Sequence, residues 1–175
     1  AFSLALQLNK KPLLCDHCGK AQRGAVALDE GCANRDCPSN LHEHVVGSYH
    51  RRRIFSLSLG DWLDPEVPLE WLVEMLDTIH RCDQVQWLLV TKRPELWESR
   101  LRQAVCSLQT EDGKHVENPL WHFISRWLPW NGINRYEPPQ HIMLLASAEN
   151  QNTADERIPE LLKIPAASHG VSCEP

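Results

Sequence analysis

The stretch Gln86 to Glu95 reads Q-W-L-L-V-T-K-R-P-E, and its order decides the fold. Gln86 to Thr91 is a short apolar run of strand-forming residues, and Lys92 and Arg93 give it a polar tip. Pro94 is then placed to open a helix, because the N–H it lacks would have no intrahelical partner there. Leu96, Trp97, Leu101 and Val105 follow at the spacing of one helical face. Strand, polar tip, proline and helix in that order make a β/α unit of a parallel sheet.

The unit before it starts with a strand at Ile54 to Leu59. It passes through Gly60, Asp61 and Trp62 to Asp64, which is placed to cap a helix from Pro65 to about His80. Trp71, Leu72, Met75, Leu76 and Ile79 mark the apolar face of that helix. A third strand, His141 to Ala146, ends at Ser147, Glu149 and Asn150. Thr153 and Glu156 have capping-box spacing, and Pro159 predicts a short turn followed by a helix from Pro159 to Lys163. Gly170 to Ser172 is a fourth strand, ending at Cys173, Glu174 and Pro175. The expected fold class is α/β, a partial barrel or an open parallel sheet of about four β/α units with a small N-terminal zinc-knuckle segment.

The connection from Ser107 to Gln140 is too long for a plain loop and is expected to be a structured insertion. It carries a helix from Pro119 and a set of aromatic side chains. Trp121, Phe123, Trp127, Trp130 and Tyr136 are candidate interface anchors; the alternative is that they cover an open flank of the sheet. Residues 1–50 form a cysteine-rich segment and residues 51–175 the partial barrel, with the insertion at about 107–140.

The chain has 175 residues, enough for one ordinary domain with an appendage. A net charge of -5 gives no general attraction for phosphates, so nucleic acid is not a favoured partner, although Arg51, Arg52 and Arg53 make a local basic spot. No window approaches the roughly 18 to 20 apolar residues that span a bilayer. Ala1 to Leu8 has neither a basic leader nor a cleavage pattern, so a cytoplasmic protein without membrane attachment is expected. Seven cysteines without a secretion signal point to thiols and metal rather than disulfides.

Cys15 and Cys18 form a C-x2-C knuckle, and Cys32 and Cys37 form a second, wider pair. Two thiolate pairs on two loops suit a tetrahedral zinc ion, and Gly19 and Gly31 allow the tight turns beside them. His17, His42 or His44 is an alternative to Cys37 as the fourth ligand. Leu14 to His50 is poor in apolar periodicity, so such a cross-link is expected to hold its shape, with the zinc closed and structural.

In parallel α/β folds ligands bind beyond the carboxyl ends of the strands. The polar groups there are Asp61, Thr91, Lys92, Arg93, Glu149, Asn150 and Glu174, a mixture suited to an amino-acid-like or nucleotide-like ligand. The alternative is that they are caps and solvated rim residues. No phosphate-binding glycine loop, zinc-protease motif or nucleophile elbow is present.

Four motifs occur in order: S-L-G-D-W-L-D-P-E-V-P at Ser58 to Pro68, T-K-R-P-E at Thr91 to Glu95, E-N-Q-N-T-A-D-E-R-I-P at Glu149 to Pro159, and V-S-C-E-P at Val171 to Pro175. Together they resemble a phage and prophage family of unknown function, related to radical S-adenosylmethionine (SAM) proteins with a TIM-barrel-like fold, and the resemblance implies that the four β/α units are a partial TIM-barrel-like parallel sheet. The resemblance covers roughly Cys15 to the C-terminus and implies that Thr91, Lys92, Glu149, Asn150 and Glu174 lie at one end of a barrel. It also implies a cysteine triplet for a 4Fe-4S cluster upstream of this sequence, and further strands downstream. The chain is therefore expected to correspond to the middle of a larger barrel, and neither a 4Fe-4S cluster nor SAM is expected in it.

Two functions follow as expectations. One is a non-catalytic remnant of a radical-SAM-like protein, encoded by a phage, that binds a host protein such as a component of defence machinery in the cytoplasm of an infected or lysogenic bacterium. The other is a fragment of a radical-SAM-like enzyme acting on a nucleic-acid base or nucleotide.

Overall fold

The computed structural model describes residues 13–14, 21–22, 52–56, 60–109, 118–129 and 137–173. Along them run β1 (Leu13–Leu14), β2 (Ala21–Gln22), β3 (Arg52–Ser56), α1 (Leu69–Arg81), β4 (Val85–Thr91) and a 3-10 turn (Pro94–Leu96). Then follow α2 (Trp97–Ser107), α3 (Pro119–Trp127), β5 (Ile142–Ala148), α4 (Gln151–Leu161) and β6 (Ser168–Cys173). The α/β class expected from the β/α units holds: β3, β4, β5 and β6 make a four-stranded parallel sheet in chain order. Trp87 lies opposite Ile142 and Thr91 opposite Ala146, while Met143 lies opposite Ser168 and Ala148 opposite Cys173. Parallel neighbours need long crossovers, and these carry the helices.

The chain forms two compact units, Ala1–Ile54 with Cys82–Gln86, and Phe55–Arg81 with Trp87–Pro175. In the first, β1 and β2 pair antiparallel, Ile54, Cys82 and Val85 are buried, and Arg53 Nε donates to Gln86 Oε1 at 3.2 Å. Cys15, Cys18, Cys32 and Cys37 lie outside the described residues, as do His17, His42 and His44.

In the second unit Trp87, Leu89, Ile142 and Leu144 on one face of β4 and β5 are buried, while Leu88 and Met143 on the other face are half-buried. Alternation of side chains across a strand produces this division. Leu72, Leu76 and Ile79 of α1, Leu101 and Val105 of α2, and Ile124 and Trp127 of α3 are buried apolar residues at helical spacing. Arg100, also buried, donates from Nη2 to the Val67 carbonyl at 2.7 Å and so ties α2 to the segment ahead of α1.

Several expectations are corrected. Helix α1 begins at Leu69, not Pro65, because Pro68 disfavours helical geometry at Val67 and ends any turn begun at Pro65. Asp64 instead closes a turn, accepting from Glu66 N at 2.9 Å. Trp71, assigned to the buried face, sits at its border in the first turn and is exposed. Helix α4 runs unbroken through Pro159, which lies in its last turn and forgoes one amide bond; Leu162 N donates to the Ile158 carbonyl at 3.0 Å beyond it. Its cap is Asn150, with Thr153 as the reciprocal partner in place of the expected Thr153 and Glu156 pair. Trp127 is not a surface anchor: its ring meets Trp97 edge-on at 5.8 Å and its Nε1 donates to the Pro165 carbonyl at 2.6 Å. Trp121 and Phe123 are half-buried, and Trp130 and Tyr136 lie outside the described residues.

Candidate functional site

The carboxyl ends of β4 and β5 bring together six charged side chains, all within the second unit. Asp61 is the anchor of the first group. Burial of Trp62 and Leu63 fixes the turn that presents it, and its side chain is only 8% exposed. Its Oδ1 accepts from Thr91 Oγ1 at 2.7 Å and from Leu63 N at 3.0 Å, and its Oδ2 accepts from Lys92 N at 2.8 Å and Arg93 Nη1 at 3.3 Å. Arg93 also reaches Asp64 Oδ2 at 2.9 Å, and its backbone N donates to Thr91 Oγ1 at 3.0 Å. One carboxylate thus splices the turn after β3 to the tip of β4.

Glu149 centres the second group. Its Oε1 takes Lys92 Nζ at 2.8 Å and its Oε2 takes Arg157 Nη1 at 2.9 Å. Arg157 Nη1 also donates to the Ser147 carbonyl at 2.7 Å. The Glu149 carboxyl is lowered from 4.5 to about 2, chiefly by the hydrogen bond from Lys92 and then by its own backbone amide; the charges of Arg157 and Lys92 add to this against a desolvation penalty. Three carboxylates (Asp61, Asp64, Glu149) face three cations (Lys92, Arg93, Arg157), so this cluster is formally neutral.

Of the residues expected at the rim, Asp61, Thr91, Lys92, Arg93 and Glu149 are joined in this way. Asn150 serves as a helix cap, its side chain accepting from Thr153 N at 3.0 Å, and Glu174 lies outside the described residues. Arg157 is the member that the sequence reading missed. Its signal was spacing: seven residues after Asn150, it stands two turns into α4 on the side of the cap.

A separate cleft of about 790 Å3 lies beside the amino end of β5, away from this rim, and is lined among others by His80, His122, Phe123, Arg126 and His141. The Phe123 and His80 rings meet at 4.9 Å, tilted by 36°, and His141 Nε2 lies 3.1 Å from the Ile79 carbonyl, so part of this histidine set is structural. Among the described residues no group of three or more His, Cys, Asp or Glu side chains is arranged to hold a metal ion. No helix among them is long and apolar enough to cross a membrane.

Sheet and rim together define an α/β protein with a parallel sheet whose carboxyl edge is laced by charge pairs. Residues 14–175 match the family described as Protein of unknown function (DUF5131), and the chain belongs to that family. No curated protein and no solved structure matches it.

Proposed function

We propose that the protein acts by binding another protein, and that its charged rim is structural rather than catalytic. The observation that carries this is the double ion pair of Glu149, with Lys92 Nζ at 2.8 Å and Arg157 Nη1 at 2.9 Å, which helps to hold its carboxyl well below the usual carboxylate range. A general base works best with a pKa near the working pH, so a carboxylate this acidic is a poor base at neutral pH. The buried Asp61 carboxylate is likewise committed, to four donors of its own chain. Trp71 is 66% exposed and supplies the kind of surface aromatic that anchors interfaces. The assignment of the partner to a phage-infected or lysogenic host, and to its defence machinery, rests on the motif resemblance alone. Cys15, Cys18, Cys32 and Cys37 are proposed to hold one structural zinc.

The test has two arms. Cross-linking and affinity capture from a bacterial host, repeated with the purified candidate, should yield a saturable complex. Incubation with SAM and a strong reductant should yield no 5′-deoxyadenosine above background, because reductive cleavage needs an iron-sulfur cluster to pass the electron. Turnover dependent on added iron and sulfide would overturn the proposal.

A radical-SAM-like activity on a nucleic-acid base or nucleotide is the alternative, and one observation favours it. The Ser147 hydroxyl, fully buried at the end of β5 and two residues from Glu149, has no hydrogen-bond partner among the described residues. A buried unpaired hydroxyl at a strand's carboxyl end is a place for a bound polar group.

A further inference from the structure

Helix α1 presents three different strips. Leu72, Met75, Leu76 and Ile79 are buried beneath it. On the opposite side Glu70, Glu74, Asp77 and Arg81 recur at intervals of three or four residues, which places them in one row. Asp77 is paired with Arg81 at 2.8 Å, whereas Glu70 and Glu74 are exposed and make no ion pair among the described residues. Along one border of the row runs a cleft of about 520 Å3, whose apolar wall is Leu69, Val73, Leu108 and Leu120. Along the other border stands Trp71, 66% exposed in a chain whose other described tryptophans are buried or half-buried.

An acidic row flanked by an apolar cleft and a lone exposed tryptophan is the complement of a basic amphipathic helix. The partner's apolar side chains would enter the cleft, and its lysines or arginines would lie over Glu70 and Glu74. Helix-in-groove recognition uses this division, with apolar anchors for affinity and charge for orientation. A neutral or acidic helix would leave the two glutamates facing apolar groups or like charge. From this charge complementarity we infer that the outer face of α1 is the docking site for a basic amphipathic helix of a partner protein. The inference rests on the protein-binding function above and names the surface and the class of partner.

The experiment uses the full chain and a fluorescein-labelled amphipathic helix composed of leucine and lysine, with a leucine–glutamate helix as control. Fluorescence anisotropy is expected to show saturable binding of the first peptide only. Val73→Glu should weaken binding by about tenfold or more, and the double variant Glu70→Gln, Glu74→Gln by a similar factor that shrinks as salt is raised. Two neutralisations elsewhere, Glu95→Gln and Glu156→Gln, should leave binding within about twofold. Equal loss in that control pair would show only nonspecific attraction to negative charge and overturn the inference, as would equal binding of the acidic peptide. Self-association of the chain that disappears in Val73→Glu would also overturn it, by identifying a second copy as the occupant. Circular dichroism melts of each variant confirm that the fold is retained. The host-capture experiment reports separately: a protein complex untouched by Val73→Glu sinks this surface but not the protein-binding function. Absence of any complex, with peptide binding intact, sinks the function but not the surface.

Discussion

Glu149 keeps its charge to about pH 2 because Lys92 Nζ and Arg157 Nη1 both donate to it, and that makes it a reporter of the rim. A depressed folded-state pKa stabilises the fold above the ordinary value of 4.5, and the contribution is lost as pH falls from there through about 2. Carboxyl chemical shifts measured against pH should therefore show a midpoint near 2, and Lys92→Met should move it back toward 4.5. An unchanged midpoint in Lys92→Met would mean that Lys92 is not the dominant cause. Asp61 differs in kind, because its carboxylate is nearly buried and takes two backbone amides, a hydroxyl and a guanidinium. Asp61→Ala strands those donors, and urea unfolding should register a loss of about 3 kcal/mol; a loss well under about 1 kcal/mol would show that water replaces the carboxylate without strain. Both residues were legible in the sequence as rim groups, since each follows an apolar run. Their partnership was not, because Asp61 and Thr91 are thirty positions apart in the chain and periodicity says nothing about register between strands.

Helices and strands were read from apolar spacing, and that signal located β4, β5, α2 and α3 closely, because each carries a strong pattern; for α3 the Asn118 cap and Pro119 also mark the start. Misreadings gathered where two local signals competed. Pro65 looked like a helix opening until Pro68 is counted against it, and Thr153 looked like a cap although Asn150 stands three residues earlier and accepts from its amide. Trp127 belonged to a run of aromatics that composition could not divide into surface and core; its full burial, the edge of Trp97 and the Pro165 carbonyl 2.6 Å from its indole nitrogen decide it. The cap on α4 can be measured directly. Asn150→Ala removes the acceptor for Thr153 N and should cost about 1 kcal/mol in chemical denaturation, whereas Asn150→Asp should cost little. A neutral Asn150→Ala would mean that the Thr153 hydroxyl, which bonds the Glu149 and Asn150 amides, holds the helix start unaided.

At the scale of the whole molecule the two compact units differ in what is available to stabilise them. Among the described residues the second unit holds most of the buried apolar side chains, including Trp62, Trp87 and Trp127, and needs no cross-link to explain its fold. Leu14 to His50 has little apolar periodicity and four clustered cysteines, so its order is expected to come from metal. Zinc bound by thiolate pairs supplies apparent free energies of about 10 to 16 kcal/mol in small zinc domains, ample for a segment with little apolar periodicity in its sequence. Elemental analysis should therefore find about one zinc per chain with negligible iron. Cys15→Ser removes one thiolate, and hydrogen exchange of that variant should accelerate across residues 14–50 while amides of β5 and α4 remain protected. The comparison discriminates because the two segments are read in the same sample: a fall in protection confined to residues 14–50 marks the metal as a local strut. Loss of protection in β5 and α4 as well would show that the cysteine segment is integral to the main core, and iron-sulfur absorbance in protein purified without oxygen would show that the cluster is not zinc at all.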